Sequence, residues 1–240
     1  MKLLQYSPTL RSRGIALATG ASLLAASCIA VAHGVAGEDA EFLQRNAGQA
    51  LAAFAYLGAK HMISGYDHLL YLLGVIFFLY RLKDVALYVT LFAVGHSITL
   101  LAGVIGDIHV NAYLVDAVIG LSIVYKAFEN LDGFRSVFNI EPDPKAAIFC
   151  FGLVHGFGLA TKLQEFTLSQ EGLVANILAF NVGVELGQIM ALVVLLLAIR
   201  LWRASGTYTR HATAFNVVLM FLGFVLAGYQ LAGYFIGTSA

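Results

Sequence analysis

From residue 47 onward the chain is almost unbroken apolar sequence, cut by short polar connectors into segments of 15–28 residues. That feature constrains the fold more than any other. Inside hydrocarbon every backbone N–H and C=O must be satisfied within the protein, so only helices and closed barrels can span it. Barrel strands alternate apolar and polar residues over about ten positions, whereas a spanning helix needs about 20 residues of continuous apolar character. The segments here are of the second kind. The sequence therefore predicts an all-α fold, a polytopic transmembrane helical bundle. Composition agrees: 60% of residues are hydrophobic and 12% charged, against about 25% charged in soluble domains.

Residues 1–32 read as a cleaved signal peptide. Lys2, Arg11 and Arg13 precede an apolar stretch at 14–29, and Ala30-Val31-Ala32 supplies an A-x-A cleavage site. Residues 33–46, with Glu38, Asp39 and Glu41, form an extracytoplasmic lead-in whose new terminus is His33. The remainder, 47–240, is a single transmembrane helical domain of about six spans plus a short outer or re-entrant helix. The expected spans are 66–80, 85–104, 112–131, 146–163, 172–199 and 212–236, and the short helix is 49–64. One long helix over 49–80, bent at Gly65, is the competing assignment. Arg81, Lys83, Arg135, Lys145, Arg200, Arg203 and Arg210 fall in connectors on one side of this topology, and Lys162 near a helix end on the other. The positive-inside rule then puts the mature N-terminus and the C-terminus outside.

Ionisable residues within such segments are expensive, need partners and mark functional sites. The stretch YLGAKHMISGYDHLLYLL at 56–73 holds His61, Asp67 and His68. His61 and His68 lie seven apart, nearly two helical turns, so a continuous helix puts both rings on one face. The next segments add His96, then His155 among Gly152, Gly156 and Gly158, then Glu185 in a stripe with Asn181 and Gln188. The topology sets all of them between the outer interface and the midplane. Imidazole with carboxylate suits a divalent transition metal such as Ni, Zn or Co, identity open. The expected metal residues are thus His61, Asp67, His68, His96, His155 and Glu185, with a metal-free hydrogen-bond network as the competing reading. Cys28 leaves with the signal peptide and Cys150 is expected as a buried apolar residue, which excludes a thiolate site. Asp116 is expected to face outer water, and Lys126 either to snorkel inward or to pair with Glu129. No phosphate loop, dinucleotide fingerprint, H-E-x-x-H or G-x-S-x-G occurs, and no basic block suggests nucleic acid.

Four motifs occur in order: His61 followed after five residues by Asp67-His68; Gly95-His96-Ser97-Ile98-Thr99; Phe151-Gly152-Leu153-Val154-His155-Gly156; and Phe180-Asn181-Val182-Gly183-Val184-Glu185. Together they resemble the HupE/UreJ family, over residues 47 to about 230. The resemblance implies a small protein of the bacterial inner (cytoplasmic) membrane, of a kind associated with hydrogenase and urease gene clusters and regarded as nickel or cobalt permeases. It implicates His61, Asp67 and His68 as the metal-recognition motif and His155 in a second histidine motif. That second motif reads HGFGLA here, without another His or Glu close by, and so looks more like the broader branch of the family. The expected function is secondary transport of a divalent transition metal such as nickel through an intramembrane His/Asp/Glu site. An intramembrane metal-dependent hydrolase, or a metal-sensing or assembly factor without turnover, are the alternatives. The expected partners are the lipid bilayer and the metal ion, with a homo-oligomer or a metalloenzyme-maturation protein beyond them.

Overall fold

The computed structural model describes residues 50–164 and 172–237. The expected signal peptide, lead-in and His33 lie outside the described residues. Among the described residues all regular structure is helical: α1 (Leu51–Ser64), α2 (Tyr66–Ile76), α3 (Leu82–Ile105), α4 (Ala112–Asn130), α5 (Gly133–Phe138), α6 (Pro144–Gln164), α7 (Leu173–Ala204) and α8 (Tyr208–Gly237).

Gly65 separates α1 from α2 with an extended backbone, φ −72° and ψ 95°. The break is one residue wide. The Gly65 N–H still donates to the His61 carbonyl at 2.9 Å, and the Leu69 N–H to the Gly65 carbonyl at 3.1 Å. Both helices then follow α7 in the same direction. At one end the Ala50 N–H donates to Asn176 Oδ1 at 3.0 Å. Along the middle, Gly183 and Gly187 lie against the Ala55 and Ala59 backbone. At the other end Arg203 donates to the Phe77 and Leu79 carbonyls. Leu51–Ser64 thus forms a short helix of its own, set end to end with Tyr66–Ile76 across Gly65, and both pack along α7.

Glycines bring two further helix pairs into backbone contact. Gly152 and Gly156 of α6 seat against the Phe92 and His96 carbonyls of α3, and Gly120 of α4 seats against Ala227 of α8. In lipid there is no hydrophobic drive between helices, so close packing and interhelical hydrogen bonds hold them. The α3–α6 contact has one such bond, Thr99 Oγ1 to the Leu153 carbonyl at 2.6 Å. Helix α2 sits among these pairs, with Gly74 packed on Lys126 and Leu219. Its C-terminal carbonyls, orphans by helix geometry, are taken up from three sides. Asn130 Nδ2 donates to Gly74 O at 2.9 Å, and the Tyr208 hydroxyl and Arg203 guanidinium both donate to Phe77 O.

Four of the described helices, α3, α6, α7 and α8, are long and apolar enough to cross a membrane. Helices α1 and α2 are each too short by themselves, with 14 and 11 residues. Helix α4 carries Asp116, Lys126 and Glu129 within its 19 residues. These charges are paired inside the protein: Lys126 Nζ lies 3.1 Å from Glu129 Oε2, and Lys162 Nζ lies 2.9 Å from Asp116 Oδ2. Lys126 is buried and does not snorkel, and Asp116 is covered rather than open to outer water. Apart from Glu185, the middle turns of α7 and α8 present an apolar outward face, with Val182, Leu186, Ile189, Val193, Val218, Phe221 and Phe224 all exposed. Such a surface suits lipid and no aqueous solvent. Cys150, expected inside, is exposed on α6; Gly152 and Gly156, not Cys150, form that helix's contact face.

Candidate metal centre

The bend at Gly65 puts His61 and His68 side by side rather than two turns apart on a straight rod. Their ring centroids are 4.9 Å apart, edge to face at 77°. His68 is the hub. Its ring lies 6.3 Å from that of His96 and 5.2 Å from that of His155. His96 and His155 each stand nine residues before the C-terminal end of their helices, 105 − 96 and 164 − 155. At 1.5 Å per residue both lie about 14 Å below that end. The glycine contact between α3 and α6 keeps the two helices in register, so equal depth in sequence becomes equal depth in space.

The hydrogen bonds of the rings decide which nitrogens are free. Asp67 Oδ1 accepts from His68 Nδ1 at 3.0 Å, and the Phe151 carbonyl accepts from His155 Nδ1 at 2.8 Å. Each bond leaves the Nε2 lone pair of its ring uncommitted. The Nε2 atoms of His61, His68, His96 and His155 are all buried, and none has a hydrogen-bond partner. A buried polar atom left alone costs free energy, and such atoms are few in folded proteins. Four in one cluster make a set of electron-pair donors whose natural complement is a cation or its bound water. Among the described residues, however, no three His, Cys, Asp or Glu side chains are already set to hold one ion. The rings meet edge to face, with interplanar angles of 69–77°, so coordination requires them to turn about their side-chain torsions.

The surroundings fix the helices that carry the rings. Ser97, next to His96, donates to Asn181 Oδ1 of α7 at 3.3 Å. Thr99 ties α3 to α6 one turn beyond His96. Phe92 lies 4.9 Å from His155 and 6.3 Å from His96, and Phe180 lies 6.2 Å from His61, ring centroid to ring centroid. Glu185 does not join the group. It is exposed, whereas Asn181 and Gln188 of the same stripe are buried. On α7 Glu185 is turned about 40° from Asn181 and about 60° from Gln188, which carries its side chain onto the outward face beside Leu186 and Ile189. His109, at the turn before α4, and His211, on α8, are exposed and remote from the cluster in sequence and fold.

Two further polar residues stand beside the cluster. Tyr71 stands three positions after His68 on α2, its ring 5.4 Å from that of His155, and its buried hydroxyl lacks a hydrogen-bond partner. The i, i+3 spacing from His68 was the available signal; amid leucines it looks like ordinary core. Gln188 lines a cavity together with His68, Tyr71, Tyr88, Phe92 and Ile148. Tyr88 and Ile148 belong to the second turns of α3 and α6, so this small cavity lies on the side of His68 toward which those helices begin.

A model of the family described as HupE / UreJ protein matches residues 37–238. No curated protein and no solved structure matches the chain.

Proposed function

Because the chain belongs to the HupE/UreJ family, we propose that it is a permease for a divalent transition metal, nickel with cobalt as second substrate. The ion is cargo. It enters from the outer side and is bound by Nε2 atoms of His61, His68, His96 and His155, with Asp67 holding His68 in the correct tautomer. Glu185 is left out of this ligand set on account of its exposure. The observation that carries the reading is the cluster of partnerless, buried Nε2 atoms. Scattered through a membrane, such atoms would each need a partner; gathered, they can share one cation.

Three features support passage over storage. The rings do not form a closed, prearranged cage, as a structural site would. A small cavity lies beside His68, lined also by Tyr71, Tyr88, Ile148 and Gln188. The basic residues Arg81, Lys83, Arg135, Lys145, Arg200, Arg203 and Arg210 gather at the end of the bundle where α3 and α6 begin, which the positive-inside rule makes cytoplasmic. The ion then moves from outside inward, in a bacterial inner membrane with both mature termini outside.

Uptake of radioactive nickel into proteoliposomes tests the proposal. The wild-type protein is expected to accumulate the ion above protein-free vesicles, and His68→Ala to fall to their level. Equal accumulation with and without protein would end the permease reading.

A further inference from the structure

A cation that enters from the outer side, as the permease reading has it, meets two charged side chains before it meets the imidazoles. Lys162 stands two residues before the C-terminal end of α6, and Asp116 four residues into α4, 164 − 162 and 116 − 112. Both therefore occupy the outer turns of their helices. Lys162 follows His155 by seven residues, nearly two turns, which sets it on the same face of α6 about 10 Å further out. Gly158 lies between them, and Asp116 Oδ1 comes to 3.5 Å from where a Cβ on that glycine would stand. The HGFGLA motif has no carboxylate of its own. Helix α4 brings one to it, a turn outward of His155.

The two side chains form one ion pair. Lys162 Nζ donates to Asp116 Oδ1 at 3.2 Å and lies 2.9 Å from Oδ2, and Gln230 Nε2 of α8 donates to Oδ2 at 3.4 Å. Lys162 is 23% exposed and Asp116 13%, so the pair is covered but not sealed. It is also close enough to the cluster to be felt there. The ammonium acts electrostatically on His61, Asp67 and His155, and the carboxylate on Asp67 and His68. As a fastening between helices the pair is a poor device. Desolvation offsets most of its attraction, and apolar side chains of similar volume hold as well or better. Charged side chains within membrane segments instead mark ion paths. Lysine suits such a path: its ammonium is a compact charge on a flexible stem, and this close to the helix end it can swing out to water.

We propose that Lys162 is a tethered stand-in for the cation, seated on Asp116 until a divalent ion displaces it, and that Asp116 then passes the ion to His155 and His68. Asp116 is the outer station of the site and Lys162 its gate. The inference rests on the metal-binding part of the permease reading. The exchange also selects by charge. A monovalent cation gains nothing by replacing an ammonium that is already held in place, whereas a divalent ion brings twice the charge to the same carboxylate. While Lys162 is seated, its charge opposes a dication at the imidazoles; once it has swung outward, distance and screening weaken that opposition.

The test reads Co²⁺ affinity of the whole protein in detergent, from the cobalt absorption bands, for Lys162→Gln and Asp116→Asn. Each variant removes one charge and keeps a polar group for its partner, and the melting temperature reports the fold. Lys162→Gln is expected to bind Co²⁺ about tenfold more tightly than wild type, and Asp116→Asn about tenfold more weakly, the order of a unit charge acting on a dication across about 10 Å of partly screened protein. Lys162→Met, which leaves the carboxylate to Gln230, should follow Lys162→Gln. A pair that only fastens α4 to α6 behaves differently: its two halves shift affinity in the same direction or not at all, and either result overturns the proposal. Should Asp116→Asn fail to fold, the Lys162 variants decide, and unchanged or weaker binding in both overturns it. Absence of Co²⁺ binding by the wild-type protein removes the metal site and the gate with it. Opposed affinities in a protein that carries no Co²⁺ into proteoliposomes end the permease reading and uphold the exchange at Asp116.

Discussion

Asp67 Oδ1 accepts a hydrogen bond from Nδ1 of His68 at 3.0 Å, across adjacent positions of the first turn of α2. Adjacent residues on a helix do not normally face one another. They do here because the turn starts at Gly65, whose missing Cβ would come within 3.0 Å of both the His68 ring and the Asp67 carboxylate. The glycine thus serves two ends. It breaks the helix between α1 and α2 so that His61 and His68 meet, and it leaves room for a carboxylate to orient the central ring.

The first expectation concerns that carboxylate. In Asp67→Ala the His68 ring loses the partner that fixes its tautomer and orientation. Outer partners of this kind are worth about 10–100-fold in metal affinity, and a drop of that size is expected for Ni²⁺ by titration calorimetry. Asp67→Ala also leaves the buried His68 Nδ1 without its partner, so the protein without metal should lose about 1–3 kcal/mol of stability, read as a lower melting temperature. Wild-type affinity in this variant would show that His68 needs no orienting group.

Histidines elsewhere in the chain provide an internal comparison. Replacing His68 by Ala removes the ring that touches the other three, and Ni²⁺ affinity should fall by more than about 100-fold, beyond the loss from an orienting residue alone. Replacing His109 or His211, both exposed at helix ends, should change affinity less than about twofold. Similar losses at all three positions would mean that binding is adventitious.

Much of this was legible before any coordinates, and the reasons are physical. Continuous apolar length fixed the helices, since hydrocarbon otherwise permits only closed barrels, whose strands are shorter and alternate. Equal depth of His96 and His155 could be counted from the segment ends, because helical rise is constant. What could not be counted was rotation. Glu185 and Gln188 share a stripe in the sequence, and the direction of the α7 contact face, set by Gly183 and Gly187 against α1, decides which of them turns inward. Pairing across distant segments was equally hidden. Lys162 and Asp116 are 46 positions apart, and nothing local announces that they meet. The break at Gly65 could be placed from the sequence, but how closely it brings His61 and His68 together could not.

The outward position of Glu185 yields its own expectation. In Glu185→Gln the charge is lost on a face away from the imidazoles, so Ni²⁺ affinity should stay within about twofold of wild type. Ser97→Ala, which breaks the contact with Asn181, should weaken binding more, although Ser97 supplies no strong ligand. The reverse order of effects would return Glu185 to the site and contradict the helix rotation described above.

The last expectation joins packing to the site. Gly156 lies where a Cβ would run into the His96 carbonyl and the Thr99 hydroxyl, both on α3. Those atoms belong to backbone and to a side chain already bonded to Leu153 O, so neither can yield cheaply. In Gly156→Ala helix α6 must move away from α3, and overpacking of this kind costs about 1–3 kcal/mol. The same displacement carries His155 away from His68, because both changes act through one rigid helix. Stability and Ni²⁺ affinity should therefore fall together. Gly228→Ala is the matched control: nothing lies within 4 Å of its added Cβ, and Ala gains about 0.5–1 kcal/mol over Gly in a helix interior. Its melting temperature in detergent should hold or rise and its Ni²⁺ affinity should not change. A Gly156→Ala protein that melts as wild type and binds Ni²⁺ as wild type would show that the α3–α6 contact does not set the spacing of the imidazoles.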